Sequence, residues 1–128
     1  MYLMSPSKIT MKSPTPILRI FDEEKAKEFY LEFLEFAVDW EHRFEDCLPL
    51  YLQISYNDCV IHLSEHYGDC CPGAAIRIEV GNLEQLHANL ISKKFKYARP
   101  GIETTPWNTR EVRIGDPFGN RIVFFENL

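Results

Sequence analysis

Apolar residues along this chain alternate between two rhythms, and the change from one to the other marks the elements. ILRIF (Ile17 to Phe21) predicts a strand, after which Asp22 is suited to cap a helix whose first turn holds Glu23 and Glu24, where the helix dipole favours negative charge. Ala26, Phe29, Tyr30, Phe33 and Leu34 then recur at spacings of three and four, with Lys25, Lys27, Glu28, Glu32 and Glu35 around them. That is the signature of an amphipathic helix. The period next falls to two. Leu50, Leu52 and Ile54 alternate with Tyr51, Gln53 and Ser55, and three strands are predicted near Val38 to Phe44, Leu50 to Tyr56 and Cys59 to His66, with Asn57-Asp58 as a tight turn.

After the GDCCPG break the same order restarts. AIRIEV (Ala75 to Val80) alternates as a strand, and Asn82 can cap a helix with the stripe Leu83, Leu86, Leu90 and Ile91. Extended segments follow near Lys96 to Arg99, Arg110 to Gly115 and Arg121 to Glu126, the last two joined by the turn sequence DPFGN. The chain therefore reads as α+β, with two βαβββ modules spanning Thr15 to Tyr67 and Ala74 to Glu126, preceded by an irregular Ser- and Pro-containing arm over residues 1–14. Each module would lay one helix on one face of a four-stranded sheet. The opposite faces are then free to curl into a mixed-sheet cleft.

Composition narrows the partners. A chain of 128 residues with 45% hydrophobic and 13% aromatic content can bury a core as a single domain. Fourteen basic against nineteen acidic side chains give a net charge of −5. Such a surface repels phosphate backbones and anionic lipid and attracts cations, so neither nucleic acid nor membrane is an expected partner. No apolar run is long enough to span a bilayer, and Met1 to Pro14 lacks the pattern of a secretory signal, which points to the cytoplasm. There Cys47, Cys59, Cys70 and Cys71, which show no CxxC spacing, would be reduced. Cys70 and Cys71 have no local positive charge to activate them and read as inert.

The stretch VIHLSEHYGDCC (Val60 to Cys71) collects two histidines, two cysteines and two acids, and so raises the question of a metal. On a strand, however, His62 and His66 would stand roughly 13 Å apart, too far to share one ion. A spacing of four chelates on a helix, and Val60, Ile61 and Leu63 after an Asn-Asp turn argue for a strand instead. No Ser-His-Asp or Cys-His arrangement and no Gly-rich phosphate loop can be nominated, so no catalytic residue is assigned.

The element order, together with LRIFDEEKAKEFY at the start, VIHLSE at the fourth strand and GDPFGNRIVFFE at the end, resembles the vicinal oxygen chelate superfamily. This group includes glyoxalase I, extradiol dioxygenases, fosfomycin-resistance transferases and the bleomycin resistance proteins. In its metal-dependent members, ligands come from the first, fourth, fifth and eighth strands. Those positions match Thr15, His62, Ala75 and Val123 here, of which only His62 can ligate, so the resemblance implies neither a metal nor a cofactor. It implies instead a non-catalytic protein that sequesters a cationic, aromatic-containing small molecule of the bleomycin type in a cleft shared by a homodimer. The alternative is a metal-dependent lyase or thiol transferase of the same superfamily using a displaced set drawn from His62, His66 and Glu126.

Six residues are ligand-contact candidates: His62, Trp107, Trp40, Tyr51, Arg77 and Glu111. Trp107 sits in PGIETTPWNTRE, a loop or irregular strand that in the family borders the cleft, where its ring could stack on a guest or attract a cation. Trp40 could equally belong to the core, and His62 could be merely a hydrogen-bonded histidine. Arg77 and Glu79 share a face with Ala75. They could meet a ligand, or pair with each other or with Arg19 and Glu126.

Overall fold

A computed structural model describes residues 8–96 and 98–128. The part of the arm before Lys8 lies outside the described residues, and residues 8–16 form neither helix nor strand. The first module comprises β1 (Ile17–Arg19), the helix α1 (Glu23–Lys27, continued as a π-helical turn over Glu28–Phe33), β2 (Ala37–His42), β3 (Tyr51–Tyr56) and β4 (Cys59–Ser64). The second comprises β5 (Ala75–Glu79), α2 (Leu83–Ser92), β6 (Ile102–Thr104), β7 (Thr109–Gly115) and β8 (Arg121–Asn127). Each builds its own four-stranded mixed sheet, in the orders β1-β4-β3-β2 and β5-β8-β7-β6, with the first pair parallel and the others antiparallel. No helix among the described residues is long and apolar enough to cross a membrane.

Local chemistry starts both helices. The Asp22 carboxylate accepts from the Lys25 amide at 2.9 Å. Asn82 takes a left-handed φ of 64°, which Asn tolerates better than most residues, and accepts from the Gln85 amide. Underwinding of the first helix, with the Leu34 amide reaching back to the Phe29 carbonyl, brings Phe29, Tyr30, Phe33 and Leu34 all into the core. On the strands, Leu52 and Ile54 of β3, Ile61 and Leu63 of β4, and Ile122 and Phe124 of β8 face the helices, with each alternate residue on the opposite face.

Two expectations from the pattern fail. Of the extended segment expected near Lys96 to Arg99, residue 97 lies outside the described residues and the others form no strand; the sixth strand is Ile102–Thr104. Lys94 leaves α2 with a φ of 51°, Phe95 folds back to stack on Phe33 at 4.5 Å, and Pro100 has no N–H to offer a ladder, so pairing with β7 begins only beyond it. Ile91, placed in the buried stripe of α2, is 41% exposed. Leu83 and Leu90 carry the burial of that helix, while Leu86 is only partly covered.

Besides the contacts of Lys93 and Phe95 with Phe33, the modules meet at two seams. At one, the β7–β8 turn of DPFGN reaches into the first module: Asp116 accepts from the Tyr30 hydroxyl at 2.6 Å, from the Asn120 side chain at 2.8 Å, and from the Phe118 and Asn120 amides, each at 2.8 Å. Asn120 also donates to the Arg19 carbonyl at 2.8 Å, and Phe118 lies against Phe21. At the other, the counterpart turn between β3 and β4 is only Asn57-Asp58, and it leaves a groove of about 440 Å³ against α2, bordered by Phe36, Tyr56, Cys59, Ile78 and Leu86.

Candidate functional site

The two sheets share a geometry that makes a site: one face covered by a helix, the other open. On the open face of the first module, strand register sets Trp40 opposite Gln53 and Gln53 opposite His62, while Tyr51 lies opposite Ser64 one step along. Trp40 stacks on Tyr51 at 6.0 Å with planes 11° apart, and His62 meets both rings edge-on at 5.3 and 5.2 Å. Trp40 thus belongs to the open face, 43% exposed, rather than to the core.

A line of hydrogen bonds locks this cluster. The Tyr51 hydroxyl sits 2.7 Å from His62 Nδ1, His62 Nε2 sits 2.9 Å from Gln53 Oε1, and Gln53 Nε2 donates to Asp39 at 3.0 Å. A carboxylate can only accept, which orients the Gln53 amide; its carbonyl then takes the proton of Nε2, and Nδ1 is left to accept from the phenol. Asp39 reaches its place because the pairing of β2 with β3 slips between Val38 and Trp40, forming a bulge whose side chain also accepts from Ser55 at 3.0 Å. With both ring nitrogens engaged, His62 would have to break a hydrogen bond to ligate a metal. Burial above all, then the nearby Asp69 carboxylate and Cys70 thiol, pushes the Tyr51 phenol up from its ordinary range.

The open face of the second module is organised around Glu111. Its residue surface is fully covered, and Oε2 accepts from Arg77 and Thr109 at 2.8 Å each and from the Trp107 indole at 3.3 Å. Oε1 accepts two bonds from Arg113, at 2.9 and 3.2 Å. Hydrogen bonding from Arg77 foremost, against the opposing effect of burial and with help from Arg113, Thr109 and Trp107, holds this carboxyl down at about 2. Arg77 also lies over the Phe125 ring at 4.5 Å. Trp107 occupies the connection between β6 and β7 and is 59% exposed.

The six candidates therefore fall into two groups of three, one in each module: Trp40, Tyr51 and His62 on the first sheet, and Arg77 and Glu111 on the second with Trp107 in the connection beside them. Arg77 pairs with Glu111, not with Glu79, which instead accepts from Asn127 at 3.2 Å. Pattern reading passed over Asp39, Gln53, Thr109 and Arg113. The alternation of β3 and β7 puts Gln53, Thr109 and Arg113 on the open faces and could have found them; the bulge that aims Asp39 has no comparable signature.

The residues of the alternative metal set are dispersed. Glu126 faces away from the open sheet and accepts from the Asn82 and Leu83 amides at the start of α2, at 3.0 and 3.4 Å. His66 lies beyond β4, its amide bound to Ser64 Oγ at 3.0 Å. Of the four positions matched to metal ligands, Thr15 precedes β1, Ala75 opens β5 and Val123 lies on β8 opposite Arg77. Among the described residues, no three of His, Cys, Asp or Glu are grouped so as to hold an ion.

Comparison with known proteins fits this architecture. The bleomycin-binding protein of Streptomyces verticillus, solved with copper(II)-bleomycin, is 21% identical, with a TM-score of 0.68 over 91% of this chain and 97% of that one. The bleomycin resistance determinant encoded on the transposon Tn5 is 17% identical, with a TM-score of 0.71 over 91% and 98%. A glyoxalase-related enzyme from Clostridium phytofermentans, also 17% identical, reaches 0.72 over 95% and 99%. At these identities the likeness concerns the fold, which is that of the glyoxalase and bleomycin resistance proteins. No curated protein matches in sequence. The family model described as glyoxalase superfamily protein matches residues 4–128, nearly the whole chain. This chain belongs to the glyoxalase superfamily.

Proposed function

We propose that this protein binds and sequesters a small molecule on its open sheet faces without transforming it, and that the guest is a cationic glycopeptide of the bleomycin type. The observation that carries the reading is the Trp40–Tyr51–His62 cluster, an aromatic surface held rigid by hydrogen bonds yet open to solvent. Ring faces attract cations and stack on planar heteroaromatic groups, each contact contributing about 1 kcal/mol. Asp39 adds a negative charge beside them. A rigid, preorganised surface also loses little side-chain entropy on binding. In the same reading the cleft is completed by a second copy, the aromatic face of one chain opposing the Glu111 face of its partner, since one chain carries the two faces on separate sheets. Similarity of fold to two bleomycin-binding and bleomycin resistance proteins supports this choice of guest.

Titration of the protein with bleomycin, followed by tryptophan fluorescence, tests the proposal. Quenching at micromolar drug is expected, and Trp40→Ala should weaken binding about tenfold. Unchanged fluorescence at that concentration, with no heat of binding, would remove the drug from the reading.

A further inference from the structure

Glu111 has little left to offer a guest, because both its oxygens are occupied by donors of the protein and the residue is fully covered. What the cluster presents outward is the pair of guanidiniums, Arg77 and Arg113, whose side chains remain 47% and 50% exposed. They lie in one row across the sheet, on either side of Val123. A single carboxylate cannot neutralise two guanidiniums, so the cluster keeps a positive charge in a protein whose net charge is −5. The rows of the face are also sorted by charge. Glu79, Glu111 and Glu103 align in one row with Phe125, the arginine pair forms the next, and Arg121, exposed, lies one row further on.

We infer that this face is an oxyanion subsite that takes a planar aromatic carboxylate or phosphate. The oxyanion meets the N–H groups that Arg77 and Arg113 direct away from Glu111, and the ring rests against Trp107. The indole and the Arg77 guanidinium donate to the same carboxylate oxygen, so a ring on one and an anion on the other are within the span of one small molecule. Glu111 fixes the orientation of both arginines before a ligand arrives, and the Phe125 ring beneath Arg77 restrains it further, so less rotamer freedom is lost on binding. The inference rests on the reading that the open faces receive the guest, and adds that the guest, or the part of it that meets this module, carries negative charge.

Calorimetric titration with 2-naphthoate, 2-naphthyl phosphate, inorganic phosphate and 2-naphthylmethylamine, alongside bleomycin, tests it. The naphthoate or the naphthyl phosphate should bind, whichever is tighter identifying the oxyanion, with the amine and inorganic phosphate at least about tenfold weaker. Arg113→Gln and, independently, Trp107→Leu should each reduce that affinity about tenfold, and added salt should reduce it in the wild type. Both positions are half exposed or more, and thermal melting checks that each variant is folded. Binding of neither aromatic anion, or binding indifferent to both substitutions, overturns the subsite. If bleomycin binds while both anions fail, the subsite falls and sequestration stands; if an anion binds in this way while bleomycin fails, the subsite stands and the drug is the wrong guest.

Discussion

The seam closed by DPFGN and the seam left by Asn57-Asp58 occupy corresponding places in a doubled fold, yet one is sealed and the other hollow. A five-residue turn is long enough to send Asp116 to Tyr30 and Asn120 to the Arg19 carbonyl, satisfying buried polar groups from both modules at once. A two-residue turn reaches nothing comparable and leaves a groove of about 440 Å³. Repeating an element order therefore does not repeat the distribution of stability. The turn lengths decide how the hairpin ends are joined, Lys93 and Phe95 join the halves separately at Phe33, and the sheet faces remain free to differ.

The largest expected effect comes from breaking the sealed seam. Asp116→Ala would strand the Tyr30 hydroxyl, one N–H of the Asn120 side chain and two turn amides, and should cost about 3 kcal/mol or more, read as a lower urea midpoint at unchanged slope. A cost like that of an ordinary surface change would mean the modules are held together elsewhere. A second contrast concerns charge. Because the Glu111 carboxyl titrates lower in the folded chain, at about 2, than its ordinary value near 4.5, its ion pairs add stability above that value and lose it as pH falls towards 2. Glu111→Gln should therefore unfold more readily than the wild type at pH 7, and the gap should narrow through acid. A gap of constant size down to pH 2 would show that something other than the charge is lost. The smallest effect belongs to the hollow seam, where Asp58→Ala, at an exposed turn position, should change stability by no more than about 0.5 kcal/mol in the same urea measurement. A large loss there would erase the distinction between the seams.

Much of the fold was legible because it depends on local chemistry. Asp22 caps where expected, the alternation around Leu52 and Ile54 gives the correct faces, and DPFGN forms its turn. The sixth strand was not, because the extended segment expected near Lys96 to Arg99 is displaced by the stacking of Phe95 on Phe33, a contact more than sixty residues distant in sequence. The same limit applies to the candidate site. Face membership follows from parity along a strand, which located Tyr51, His62 and Arg77. What each side chain binds does not, and so the joining of Glu111 to two arginines and of His62 to Gln53 and Asp39 emerged only in three dimensions.

The bulge in β2 has one more consequence. β2 is the outermost strand of its sheet, and a regular strand there would offer its unpaired N–H and C=O groups as a template for another chain to extend. The slip between Val38 and Trp40 interrupts that template at Asp39, the unpaired acidic residue of the bulge, with a second acid, Glu41, two residues further along. The irregularity that turns Asp39 toward Gln53 thus also makes the rim of the sheet a poorer template for edge-to-edge pairing.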